Sequence, residues 1–201
     1  MPDAPIEVVR EPGTRYASRL HRADGVVVLL RGTGHEAVDD RPERLPHDLA
    51  HLVVEDALAL EHGLWGTLAA GGMFGHAAVV AGRRPPHADR RAREVVARSG
   101  DRLNQAEIVV AAVVRLTREG RDGDLDALRA GTGERWWPVG VDGDALRAAC
   151  VGLRDAAARW RATPVGGELA AAWRHGDGPA WARGSAGGGR RPPRTARRRS
   201  R

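Results

Sequence analysis

The stretch from Pro46 to Gly63 constrains the fold more than any other, because it is bounded as a helix at both ends and cannot lie on an open surface. Pro46 suits a first helical turn, where a missing N–H costs nothing, and Asp48 complements the positive end of the helix dipole. Gly63 supplies a stop, so a helix is predicted over residues 46–62. On a wheel of about 100° per residue with His47 at zero, His51, His62, Glu55 and Asp48 fall within roughly the next 100°. Leu49, Leu52, Val53, Val54 and Leu60 occupy the rest of the circle with the alanines, and Leu58 falls beside the histidines. A surface helix carries a broad polar arc. A narrow polar stripe between apolar residues belongs to a helix packed on most sides, with the stripe facing an enclosed or cleft-like space.

Something must wrap that helix, and the chain offers strands before it and helices after it. Ile6-Glu7-Val8-Val9, Tyr16 to His21 and Val26 to Leu30 read as three strands, separated by the turn chemistry of Pro12-Gly13 and Asp24-Gly25. They predict an antiparallel meander whose third strand, a continuous apolar run, is covered on both faces. Gly32-Thr33-Gly34 then leaves the sheet as an ordinary turn. Gly63 to Gly82 holds no charged residue except His76; its glycines and alanines argue for a buried helix or helical hairpin rather than a membrane span. Trp65, Leu68, Met73 and Phe74 are its candidate core residues.

A basic, proline-containing loop is expected over residues 82–93. Helices follow over about 101–119, after a Ser99 or Asp101 cap, from Asp124 to Ala130, and from Asp142 or Asp144 to Trp160. Trp136-Trp137-Pro138 reads as a plug rather than a stacking platform. Glu168 to Trp173 is expected to return to the meander as a last strand. The fold class is therefore α+β: an N-terminal antiparallel β-meander packed on a mainly helical core, closed by a C-terminal strand.

The net charge of +6 belongs to the C-terminal end. All 32 basic residues are Arg, eight of them between Arg183 and Arg201 without a single acid, while the remaining 24 face 26 acidic residues. The folded part is near neutral, so the high pI is no argument that it binds nucleic acid. Residues 1–181 are expected to form a single domain and 182–201 a disordered Arg-rich tail, able at most to hold nucleic acid or acidic surfaces nonspecifically. One cysteine, Cys150, excludes an internal disulfide and lies at helical spacing with Leu146 and Leu153, as a buried thiol would. The start carries no pattern of a signal peptide, so a cytoplasmic location is expected.

The chemistry worth weighing sits on the polar stripe. Two histidines four apart on a helix aim their imidazoles at one point, the arrangement of His-Glu-x-x-His zinc enzymes. His47 and His51 are thus candidate metal ligands, with Asp48 and Glu55 as the carboxylates that complete or orient them. Asp48 is also the candidate general base toward a metal-bound water. Glu55 stands two turns above His47, and a further ligand from elsewhere is needed, with His35, His76 and His21 as candidates. The competing account leaves the carboxylates to satisfy buried imidazoles by hydrogen bonds, with no metal at all.

The run Pro46-His47-Asp48-Leu49-Ala50-His51-Leu52-Val53-Val54-Glu55, followed by Gly63-Leu64-Trp65-Gly66, resembles a family of small uncharacterised actinobacterial proteins. That resemblance implies a fold and no activity. The His47-Asp48-x-x-His51 core is also similar to the zinc motif of the Coq4 family of ubiquinone-biosynthesis proteins, whose glutamate stands farther downstream than Glu55 does here. Two functions follow as expectations. One is a divalent-metal site, zinc-like, in a hydrolase or lyase acting on a small molecule. The other is a non-enzymatic interaction or regulatory domain with structural histidines, its partner a protein and its Arg-rich tail binding nucleic acid or acidic surfaces nonspecifically.

Overall fold

A computed structural model describes residues 3–138 and 140–175, so the tail expected at 182–201 lies outside the described residues. The chain opens with β1 (Ala4–Arg10), β2 (Tyr16–His21) and β3 (Val27–Gly32), antiparallel neighbours joined by turns in which Gly13 and Gly25 adopt positive φ. A two-residue ribbon, β4 (His35–Glu36) and β5 (Leu45–Pro46), leads into α1 (His47–Ala57). The short α2 (Leu64–Ala69) precedes β6 (Ala77–Ala81). Then come α3 (Ala88–Ser99), α4 (Asp101–Arg118), α5 (Leu125–Thr132), α6 (Gly143–Ala162) and β7 (Glu168–Trp173).

β7 pairs with β1 and β6 with β3, giving one five-stranded antiparallel sheet in the order β6-β3-β2-β1-β7. This is the α+β architecture expected, with the return strand at the residues expected. β1 and β3 bury alternate side chains, as a sheet with one covered face must, while β2 begins with Tyr16, Ala17 and Ser18 all buried. Ile6, Val8, Leu20, Val28 and Leu30 join one apolar core with Leu49, Val54, Val109, Leu116, Leu146, Leu153 and Trp160 from the helices. Helix α1 lies at the centre of that core, against α6, α4 and α2. Cys150 is buried among the same residues, and burial pushes its thiol pKa up.

Several local expectations are corrected. β3 is not covered on both faces: Val28 and Leu30 are buried while Val27 and Leu29 are only half-buried, with Leu29 flanked across the sheet by Arg19 and Ala78. Helix α1 ends at Ala57 rather than residue 62. Ala59 takes a positive φ of 52°, and the chain turns back so that the following segment can reach Glu55. Gly63 accordingly starts α2 instead of stopping α1. The uncharged stretch after it is one buried six-residue helix plus the edge strand β6, not a helical hairpin. The basic segment expected as a loop over residues 82–93 is helical from Ala88, because Ala92, Val95 and Ser99 form a narrow buried stripe beneath the arginines. Ser99 Oγ fixes it by a 2.8 Å hydrogen bond with Thr67 Oγ1. Neither Ser99 nor Asp101 caps α4, which starts at Gly100 in a positive-φ conformation, whereas Asp124 and Asp142 each cap their helix through a backbone N–H three residues on. No helix among the described residues is long and apolar enough to cross a membrane.

Candidate metal centre

The site is built at the first two turns of α1. The β4–β5 ribbon sets Glu36 opposite Leu45, one residue pair before the helix, and so carries the Glu36 carboxylate to His47. Glu36 Oε1 lies 2.9 Å from His47 Nδ1. The orphan amides of the helix start are met by the same framework, since His47 N donates to the Gly34 carbonyl at 2.9 Å. One turn on, His51 Nδ1 lies 2.8 Å from Glu55 Oε1, an i,i+4 pair with almost no exposure on either side chain. Each imidazole thus has its Nδ1 held by a carboxylate, which orients the ring and leaves Nε2 to face outward from that partner.

The two Nε2 atoms converge on a third group. Packing of α4 across α1 brings Glu107 Oε2 to 3.2 Å from His51 Nε2 and 3.7 Å from His47 Nε2. The two imidazole centroids are 4.5 Å apart. His47, His51 and Glu107 each offer one ligand atom, all lying within 4.8 Å of one another. Ligand atoms about 2.0–2.1 Å from a zinc ion stand roughly 3.3 Å apart in a tetrahedron, so small side-chain rotations separate this group from a coordination sphere. The enclosure is one-sided: His51 is 1% exposed, whereas Glu107 is 57% exposed. His51 Nε2 is buried and, despite the close Glu107 oxygen, makes no hydrogen bond of acceptable geometry.

The electrostatics follow from this crowding. Burial alone pulls the His51 pKa down, but Glu107 and Glu55 together outweigh it and push it up to about 10. The hydrogen bond with His47 holds Glu36 below the ordinary carboxylate value, and His51 does the same for Glu107. A proton or a cation is therefore strongly favoured between these groups.

The structure gathers the two histidines predicted from the sequence and sets Glu55 against His51 as an orienting carboxylate, but it turns Asp48 away. Asp48, expected as ligand and general base, faces the sheet, where its oxygens accept hydrogen bonds from Tyr16 Oη at 3.1 Å and Ser18 Oγ at 2.9 Å. A consecutive residue on a helix is rotated by about 100°, enough to turn Asp48 away from the point that His47 addresses. Burial and the Asp48 charge raise the Tyr16 pKa, so the phenol stays a donor. Glu55 is wholly buried and accepts not only from His51 but from Leu64 N at 2.7 Å and Trp65 N at 3.0 Å. It positions His51 and caps α2. Gly63 makes this approach feasible, because a Cβ there would collide with the Glu55 carboxylate. Trp65 completes the lock by donating its indole N–H to the Asp48 carbonyl at 2.8 Å.

His62, on the predicted stripe, lies beyond the end of α1. None of the three other candidate histidines supplies the missing ligand. His35 Nδ1 meets the Thr33 carbonyl, His76 stacks on Phe74, and His21 lies 3.3 Å from Glu7. The third ligand-type group is Glu107, which the sequence did not single out. A signal was present: Glu107 is the one acid between Asp101 and Glu119, set among Ala106, Ile108 and Val109 in an otherwise apolar run. The Trp pair is no open platform either, since Arg135 covers the Trp136 ring and Arg129 the Trp137 ring.

Compared with known proteins, the chain matches no family model, no curated protein and no solved structure.

Proposed function

We propose that the protein is a metal-dependent hydrolase or lyase acting on a small molecule, its divalent ion, zinc by preference, held by His47 Nε2, His51 Nε2 and the Glu107 carboxylate. One observation carries the reading: two imidazoles, each oriented through Nδ1 by its own carboxylate, aim their Nε2 atoms at a third carboxylate on a different helix. Imidazole and carboxylate suit a borderline cation, and two histidines with one glutamate leave a tetrahedral ion one position for water or substrate. The exposed Glu107 side gives that position access to solvent. A divalent ion held there would supply activation of water and polarisation of a carbonyl or phosphoryl oxygen, the two services a hydrolase or lyase requires. The similarity of His47-Asp48-x-x-His51 to a zinc motif agrees for the two histidines, with Glu107 in the acidic role that the motif gives to a glutamate farther downstream of the second histidine.

Elemental analysis of untagged protein tests this. About one equivalent of divalent metal is expected in the native chain, none in the His47→Ala/His51→Ala double variant, and a reduced, readily dialysed amount in Glu107→Gln. Full metal retention in the double variant overturns the assignment.

A second reading is favoured by the 3.2 Å approach of His51 Nε2 to Glu107. A proton there, in place of a metal, makes the cluster an ion network inside a non-enzymatic interaction domain. That reading requires a metal-free protein whose melting temperature is unchanged by chelator.

A further inference from the structure

A second, unrelated cavity is lined by the β1–β2 turn, the segment after β3, the loop before β5 and the end of α6, and encloses about 490 Å³. Arg10, Arg15 and Arg44 are among its lining residues, against a single acidic one, Glu43. Arg10 is fixed in place: its Nη1 donates to the Trp160 carbonyl at 3.3 Å and the Thr163 carbonyl at 2.9 Å, and its guanidinium lies over the Trp160 ring. Arg15 and Arg44 have no ion-pair partner among the described residues. Nearby acids are already committed, Glu11 to Arg31 and Asp39 to Arg161. Like charges gathered in one concavity repel each other, and an anion shared between them relieves that repulsion.

We propose that this cavity binds a small phosphate-bearing anion. Guanidinium forks match tetrahedral oxyanions in a bidentate manner, and the hydroxyls of Thr14 and Thr33, also in the lining, supply neutral donors around them. The volume lies within the range of about 300–1,000 Å³ common for metabolite sites and exceeds what a lone inorganic ion needs. Nothing in this assignment depends on a metal at His47 and His51.

Isothermal titration of full-length protein with pyrophosphate tests it, after metal and then chelator have been dialysed away. One saturable site is expected in the native chain. The Arg15→Gln/Arg44→Gln double variant should bind at least about tenfold more weakly, whereas Arg102→Gln, altering a different cavity, should bind as the native chain does. Both replaced arginines are exposed, so an unchanged melting temperature confirms that the double variant is folded. Equal binding in the double variant would place the anion elsewhere on this Arg-rich chain and overturn the assignment, as would an absence of saturable binding in the native protein.

Discussion

His47 and Asp48 are neighbours in the chain, both polar, on the same first turn of α1, yet their surroundings differ in kind. Asp48 meets donors only: two hydroxyls from β2 point at its two oxygens, and the cluster closes against the sheet. His47 and its partner His51 meet carboxylates at both ring nitrogens, and their Nε2 atoms converge with Glu107 in a group that could hold a metal ion. Matched donors and acceptors make an anchor, because every group already has its complement. An excess of acceptors around two imidazoles makes a candidate receptor, because it favours a proton or a metal ion between them. Polar burial by itself does not separate the two cases. The balance of donors against acceptors does.

The largest effect should come from Glu55, whose buried carboxylate serves His51 and two amides of α2. Glu55→Ala is expected to destabilise the protein by about 3–5 kcal/mol, since it orphans a buried imidazole and two helix-end donors at once. Urea unfolding measures it, and a loss below about 1 kcal/mol would mean that Glu55 does not tie the centre to the fold. Next comes Asp48→Asn, expected to cost about 1–2 kcal/mol by setting an amide N–H₂ against hydroxyl donors. Its metal content should stay near that of the native chain. Were metal lost as completely as in the histidine double variant, the division between anchor and receptor would collapse.

The pH dependence of stability sharpens the contrast further. His51 has its pKa raised from an ordinary 6.5 to about 10, so its contribution to metal-free stability is fully present below pH 6.5 and is lost as the pH rises toward 10. Glu36 and Glu107 are lowered from 4.5, so theirs is present above that value and is lost as the pH falls through the lower folded values. From this cluster, metal-free protein should be most stable between about pH 4.5 and 6.5. With zinc added, thermal unfolding should show the reverse trend above pH 6.5, because the metal displaces the proton and binds more tightly as the pH rises. Identical curves with and without zinc would leave the receptor occupied by a proton alone. Glu107→Gln should lower the His51 pKa toward its ordinary value, and with it the metal-free stability near neutral pH, by less than Glu55→Ala does, while weakening metal binding.

What was legible in the sequence were features that depend on near neighbours. Alternation in Ile6 to Leu30 and the Asp-Gly turn sufficed for the meander, and the aspartate caps located α5 and α6. The His47–His51 pair was visible because helical periodicity alone places residues four apart on one face. The end of α1 was hidden, since the helix stops where Ala59 turns the chain so that α2 can dock on Glu55, a contact made nine and ten residues away. The helix beneath the arginines of residues 88–99 was hidden because only three small side chains mark its buried face.

By itself, then, the sequence determined the α+β class, a central helix with a narrow polar stripe, and a histidine pair on that stripe. Periodicity and turn chemistry act within a few residues, and these features need nothing more. Only the tertiary structure decided which carboxylate serves which purpose. Helix rotation aims Asp48 at the sheet, the β4–β5 ribbon delivers Glu36, and the packing of α4 on α1 brings in Glu107 from more than fifty residues away. The ligand set depends on how separate elements cross, and no spacing within one helix records that.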